Sequence, residues 1–159
     1  MGLMSYTRKL NIWMLRESAT ILKNILADVS QEDASTYRDG PDGWTVLEVL
    51  HHVKDFDGFF LDRAQMILDK DYPKLASYDH EAIAIERAYN QQDLQVVLDA
   101  FLSQREEVIA FFEGLDEYQW ERAGHHPESG YFPLTRSLLQ YSSHTMTHIE
   151  QITRILNQR

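Results

Sequence analysis

The sequence predicts an all-α protein: a four-helix bundle with a long connection before its last helix. Apolar residues recur at helical spacing over four long stretches, polar breaks containing Pro and Gly separate them, and no segment carries the period-two alternation of a strand. With 159 residues, one core is expected, and residues 1–159 read as a single domain.

The elements follow in order. A first helix runs from about Ser5 to Val29, with Leu10, Met14, Ile21 and Ile25 on one face. Residues 30–43, SQEDASTYRDGPDG, are turn chemistry. The second long helix begins beside Thr45, which can cap it with Glu48 at the capping-box position. The stretch DKDYPKLASYDH, residues 69–80, breaks the pattern, and residues 81–90 suit a short extra helix. From about Gln92 to Glu113, Leu94, Val97, Leu98, Phe101, Val108, Ile109 and Phe112 form a narrow apolar stripe. Residues 114–133 make the long connection. The last helix then places Leu138, Ser142, Ile149, Ile152 and Leu156 on one side.

Charge and composition narrow the function. Acidic residues outnumber basic ones by 25 to 15, for a net charge of -10. Such a field repels phosphate backbones and anionic lipid, so neither nucleic acid nor a membrane is an expected partner. No apolar run reaches the length of a membrane span, and the expected location is cytoplasmic. Cysteine is absent, which removes disulfides, thiolate zinc sites and a cysteine nucleophile together. Any metal must be held by His, Asp or Glu.

The motif that carries chemistry is HTMTH, residues 144–148. At 100° per residue His144 and His148 lie about 40° apart and one turn along the axis, on one edge of the buried face. On the second long helix, Val46, Val49, Leu50, Val53, Phe56 and Phe60 cluster in one arc; His52 falls at its edge, whereas His51 points nearly opposite, toward water. If these two helices are neighbours, three imidazoles converge. Such a set leaves coordination positions open, which suits catalysis better than structural closure. The alternative from spacing alone is a set of solvated histidines at helix edges.

Two stretches, GWTVLEVLHHV and LLQYSSHTMTHIEQI, give the chain a resemblance to the DinB/YfiT-like family of four-helix-bundle proteins inferred to be metalloenzymes. The first is similar to the family's Gly-Trp-Ser/Thr start of the second helix, with a histidine seven residues after the hydroxyl. The second is similar to its last helix, with His-x-x-x-His followed by Gln-Ile. The resemblance implies a DinB/YfiT-like bundle in which His52, His144 and His148 are the metal ligands. Thr145 departs from the pattern, standing where an acidic residue often follows the first histidine of the pair.

The resemblance also implies two chemistries for a divalent ion: hydrolysis by activated water, and transfer of a low-molecular-weight thiol cosubstrate to an electrophile. Zinc, nickel, iron, cobalt and manganese all suit three imidazoles. Ligand histidines commonly donate their second ring N–H to a fixed partner; Glu48, Asp55 and Gln151 are candidates, with capping or solvation as the alternative for each. Arg105 lies in the middle of an apolar stripe, where it either pairs with Asp57 as a structural bridge or faces a substrate pocket. Trp120 and Tyr141 are further pocket candidates. The aromatic connection 114–133, which also holds His125 and His126, either roofs the metal cleft or plugs the end of the bundle.

Three readings stay open: a metal-dependent enzyme acting on a small molecule, a non-catalytic metal- or ligand-binding bundle, and a bundle whose helices serve homodimerisation. Surplus apolar residues such as Phe59 and Met66 are the footing of the last.

Overall fold

Thr45 starts the second long helix as the sequence predicts. Its hydroxyl accepts from the Glu48 backbone N–H at 3.2 Å, and the Glu48 carboxylate accepts from the Thr45 N–H at 2.7 Å, a reciprocal capping box. In the computed structural model, which describes residues 2–159, the elements are α1 (Leu3–Leu26), α2 (Gln31–Thr36), α3 (Val46–Asp69), α4 (His80–Glu86), a 3-10 turn (Tyr89–Gln91), α5 (Leu94–Glu113), α6 (Glu117–Trp120), β1 (Ala123–His126), β2 (Gly130–Pro133) and α7 (Leu134–Leu156).

The long helices α1, α3, α5 and α7 form the bundle. Helix α1 packs against α5 and α7, and α3 packs against the same two helices. The bundle order is therefore α1, α5, α3, α7, with α1 and α3 on one diagonal and α5 and α7 on the other. The diagonal steps require long connections over the ends, which residues 27–45 and 114–133 supply. The order also makes α3 and α7 neighbours, as convergence of the histidines demands.

One apolar cluster, including Leu22, Leu50, Val53, Phe101 and Ile152, fills one end of the bundle. A second, including Leu15, Phe60, Ile109, Phe112 and Trp120, fills the other. Between them Arg105, with no exposed surface, links all four long helices. It donates to the two carboxylate oxygens of Asp57 at 2.7 and 3.0 Å, to the Leu15 carbonyl at 3.2 Å, and to the hydroxyls of Ser18 and Thr145 at 3.0 and 2.8 Å. All five guanidinium N–H groups are thereby engaged.

Three sequence expectations need correction. The buried face of α1 is not the Leu10, Met14, Ile21, Ile25 stripe: Leu10 and Ile21 are 39% and 37% exposed, whereas Leu15, Leu22 and Leu26 face the core beside Arg8, Asn11 and Ser18. Those polar residues are buried because each finds a partner, Arg8 in Glu117, Asn11 in Ser142 and Ser18 in Arg105. Second, residues 31–36 are helical, since Ser30 accepts from the Asp33 N–H at 3.0 Å and caps them. Third, the long connection contains an antiparallel hairpin pairing Ala123 with Pro133 and His126 with Gly130. The hairpin leans on residues 73–75: His125 N–H donates to Pro73 at 2.7 Å, and Leu75 N–H to His125 at 2.9 Å.

Phe59 and Met66 are half-buried within the chain. The Phe59 ring stacks on Tyr78 at 4.2 Å, and Met66 packs against the second apolar cluster.

Candidate metal centre

Seven residues after the Thr45 cap, α3 presents His52; α7 presents His144 and His148 one turn apart. Because α3 and α7 are neighbours, the three rings meet. Nε2 of His144 lies 3.0 Å from Nε2 of His52 and 3.2 Å from Nε2 of His148, and a ligand atom from each ring falls within a 4.8 Å envelope. Ligands bound at the usual zinc–nitrogen length of about 2.0–2.1 Å around a tetrahedral ion stand about 3.3 Å apart. The donors are spaced to share an ion.

Protonation points the same way. Burial, then the neighbouring His144, His148 and His80, pushes the His52 imidazole down to about 2. Burial and His148 push His144 down to about 3. Burial also lowers His148, against the opposing hydrogen bond from Gln151. The rings are therefore neutral near pH 7, with lone pairs available for a cation. His148 Nδ1 lies 2.8 Å from Gln151 Oε1. An amide oxygen only accepts, so Nδ1 carries the proton and Nε2 is left basic toward the centre. Gln151 is held in turn by Asp39 at 3.0 Å, and Asp39 is clamped by Arg154, which holds its carboxyl below the usual range.

Aromatic rings pack against His52. The Trp44 ring meets His52 edge-on at 4.9 Å, and Phe56 lies 4.3 Å from His52. The site opens into a cavity of about 700 Å³ that Trp44 and Phe56 also line and that runs past Phe60 to Arg63, Tyr78 and Gln140. His80, the first residue of α4, faces this opening with its ring 5.8 Å from His52. The Asp79 cap, which accepts from the Ala82 N–H at 3.0 Å, fixes the start of α4.

The remaining expected site residues are distributed differently. Gln151 touches His148, as described. Glu48 closes the capping box and shows no hydrogen bond to His52. Asp55 faces away from the triad: it accepts from Lys54 at 2.9 Å, and from Arg87 and the Tyr89 hydroxyl at 2.7 Å each. These contacts bring Tyr89 over His51, whose ring stacks on it at 4.0 Å and is only 9% exposed. The outward position expected for His51 is corrected by this cover.

None of the three expected pocket residues lines the cavity. Arg105 is consumed by its structural network. The Tyr141 hydroxyl donates to the Asp57 carbonyl at 2.8 Å inside the bundle. Trp120 stacks on Phe112 at 5.6 Å and carries the Arg8 guanidinium on its face, so this part of the connection plugs the bundle end. The hairpin beyond it reaches the cavity through His126 and Glu128. Thr145, the departure from the family pattern, accepts from Arg105 and donates to the Tyr141 carbonyl at 3.2 Å.

Sequence reasoning missed Phe60, Arg63, Tyr78 and His80 as cavity residues. The first two carried a signal: positions 52, 56, 60 and 63 share one helical face. Tyr78 and His80 arrive through an irregular segment whose path no periodicity encodes.

Comparison with known proteins agrees with this architecture. A relative from Oceanobacillus iheyensis, described as an inferred metal-dependent hydrolase, is 26% identical over 153 residues, covering 94% of this chain and 87% of its own. YfiT from Bacillus subtilis, described in the same way, is 27% identical over 146 residues, covering 91% and 81%. The solved YfiT structure, a four-helix bundle of unusual topology, superposes with a TM-score of 0.85 over 95% of this chain and 86% of that one. The mycothiol-dependent maleylpyruvate isomerase, 14% identical, shares the fold with a TM-score of 0.76 over 96% of this chain and 63% of its own. The DinB superfamily profile matches residues 14–152, which include all three converging histidines, the whole of α3 and α7 as far as Ile152; the chain belongs to the DinB superfamily.

Proposed function

We propose that the protein is a metal-dependent enzyme in which His52, His144 and His148 hold a divalent ion beside a cavity for a small-molecule substrate. The observation that carries this reading is the convergence of three neutral Nε2 atoms on one point with one flank open to that cavity. A divalent ion there supplies Lewis acidity and lowers the pKa of a bound nucleophile.

The chain's own groups do the rest. Gln151 keeps the His148 proton on Nδ1 and so keeps Nε2 basic. Trp44 and Phe56 pack on the His52 ring and give the cavity beside it an apolar wall. His80, across the opening, is the titratable side chain placed to carry a proton to or from the reacting group. Arg105 and Tyr141 act at a distance, fixing the phase of α3 and α7 on which the triad depends.

Hydrolysis is the first reaction class, supported by the descriptions of the full-length relatives. Thiol transfer to an electrophile is the second, supported by the fold shared with a mycothiol-dependent enzyme. Both use a nucleophile that loses a proton, and nickel, iron, cobalt and manganese remain candidates beside zinc.

The test begins with protein purified without a histidine tag. Metal analysis should find about one equivalent of a divalent ion, lost in His148→Ala. Turnover is then measured on ester, amide and epoxide substrates, with and without cellular thiols and with and without a chelator. Chelator-sensitive turnover without thiol identifies a hydrolase, and a strict thiol requirement identifies a transferase. Bound metal with no turnover on any substrate would leave a metal-binding bundle. Metal-free protein indifferent to His148→Ala would remove the reading altogether.

A further inference from the structure

The cavity has a second polar end. Along α3, His52, Phe56, Phe60 and Arg63 follow one another on a single face, and along α7 Gln140 precedes His144 by one turn; all six line the same cavity. The Phe60 ring neighbours both ends, with the Arg63 guanidinium 5.7 Å and the His144 ring 5.7 Å from its centre. A ligand reaching from the histidines to Arg63 passes along Phe60.

Arg63 is an unusual residue for this position. It is 5% exposed, yet no carboxylate forms an ion pair with it among the described residues, in contrast to the buried Arg105, which holds Asp57. Its Nη2 donates to the Ala76 carbonyl, and its guanidinium lies on the Tyr78 face at 4.8 Å. Nε is buried with no partner. On the facing helix, the side-chain oxygen of Gln140 is likewise buried without a partner. Buried polar groups without partners cost free energy, and a buried guanidinium without a counter-ion costs more. The guanidinium without a counter-ion is what a site built for an anion presents, and the Gln140 amide, whose oxygen finds no donor there, turns over to offer its NH2 to the same ligand.

We propose that this end is a carboxylate subsite, and that the protein's substrate is an acid whose carboxylate is held by Arg63 and Gln140 while an apolar segment lies along Phe56 and Phe60. The part of this statement that concerns a substrate rests on the metal-centre reading above; the subsite itself does not. Arg63 Nη1 supplies one donor to a carboxylate oxygen, and the Gln140 amide NH2 supplies another, so the anion replaces the counter-ion that the fold omits. Four carboxylates line the cavity, Asp39, Asp42, Glu81 and Glu128; Asp39 is held by Arg154 and Gln151 and Glu81 accepts from Trp44, whereas Glu128, on the hairpin turn, is the one whose charge acts on Arg63 and competes for it. A purely structural Arg63 would instead hold Ala76 and Tyr78 and be indifferent to ligand charge.

The test is a ligand titration of metal-free protein at pH 7.5, followed by amide and side-chain NMR shifts, with 4-phenylbutyrate, 4-phenylbutanol and 4-phenylbutylamine as probes. The acid should bind at least tenfold more tightly than the alcohol, the amine should bind weakest, and the Gln140 side-chain NH2 signals should move only with the acid. Arg63→Gln should abolish the preference for the acid, Arg63→Lys should keep part of it, and Glu128→Gln should strengthen it. Equal binding of acid and alcohol by the wild-type protein would overturn the subsite, and that comparison does not require any variant to fold. Survival of the full preference in a folded Arg63→Gln protein would overturn it too. Repeating the titration beside a metal assay separates the two readings: a preference for the acid in protein that takes up no metal removes the metal centre and leaves the subsite, and metal uptake without the preference does the reverse.

Discussion

Arg105 and Asp57 form a two-pronged ion pair at the midpoint of the bundle, with N–O distances of 2.7 and 3.0 Å and essentially no solvent access to either side chain. The pair ties α5 to α3, and the other donors of Arg105 tie both to α1 and α7. Removing one partner leaves the other charged and buried, so Arg105→Ala or Asp57→Ala should each cost about 3–5 kcal/mol. A paired replacement by apolar residues of similar volume should recover most of that loss. Urea denaturation of the two single variants and the double variant measures it, and additive losses would show that the pair is not coupled.

The capping box at Thr45 and Glu48 sets where α3 begins and hence where His52 points. Thr45→Ala should cost about 1 kcal/mol. Glu48→Gln, which can still accept from the Thr45 N–H, should change neither stability nor metal affinity by much. A large fall in metal affinity in Glu48→Gln would give Glu48 the role at His52 that its hydrogen bonds do not show.

Gln151 orients His148 and is itself held by Asp39. Gln151→Leu should weaken metal binding by about 10–100-fold while leaving the helix intact, and His148→Ala should weaken it further. Competition with a chromophoric chelator gives both affinities. Equal affinities for Gln151→Leu and the parent protein would reduce the amide to a surface contact.

The three histidines also set how the metal-free protein responds to acid. Each folded-state pKa lies below the ordinary value of 6.5, so on acidification the unfolded chain takes up protons before the folded one does. Their contribution to stability is fully present above about pH 6.5 and is lost as pH falls through the window toward the lowered values. The melting temperature of metal-free protein should therefore drop between pH 7 and pH 5. The drop should be smaller in the double variant His52→Phe, His144→Phe, even if that variant starts from a different value. Parallel melting curves for the two proteins would show that other groups govern the acid limb.

Much of this architecture was legible because its signals are local. The capping box, the stripe on α5 and the four-residue spacing of His144 and His148 each depend on neighbours along one helix, and helical geometry converts spacing into direction. The buried face of α1 is not legible in the sequence, for the opposite reason. Arg8, Asn11 and Ser18 look solvent-facing until Glu117, Ser142 and Arg105, all distant in sequence, are brought to them. The hairpin was silent for the same cause. Gly124 lies so close to the 73–75 segment that an added Cβ would stand 3.0 Å from the Pro73 oxygen, and a strand of four residues that leans on a distant loop leaves almost no periodic trace. The polar end of the cavity required the structure, since what marks Arg63 is the counter-ion it does not meet.

The diagonal order of the helices has a consequence for how the site comes into being. The imidazoles that approach to 3.0 Å are 92 positions apart along the chain, and everything between them must have found its place before they can meet. A polypeptide that ends before α7 keeps His52 and loses both of its partners, so a bound ion would report completed assembly. Uptake of cobalt during refolding, followed by its colour, should accordingly lag behind the recovery of helical ellipticity.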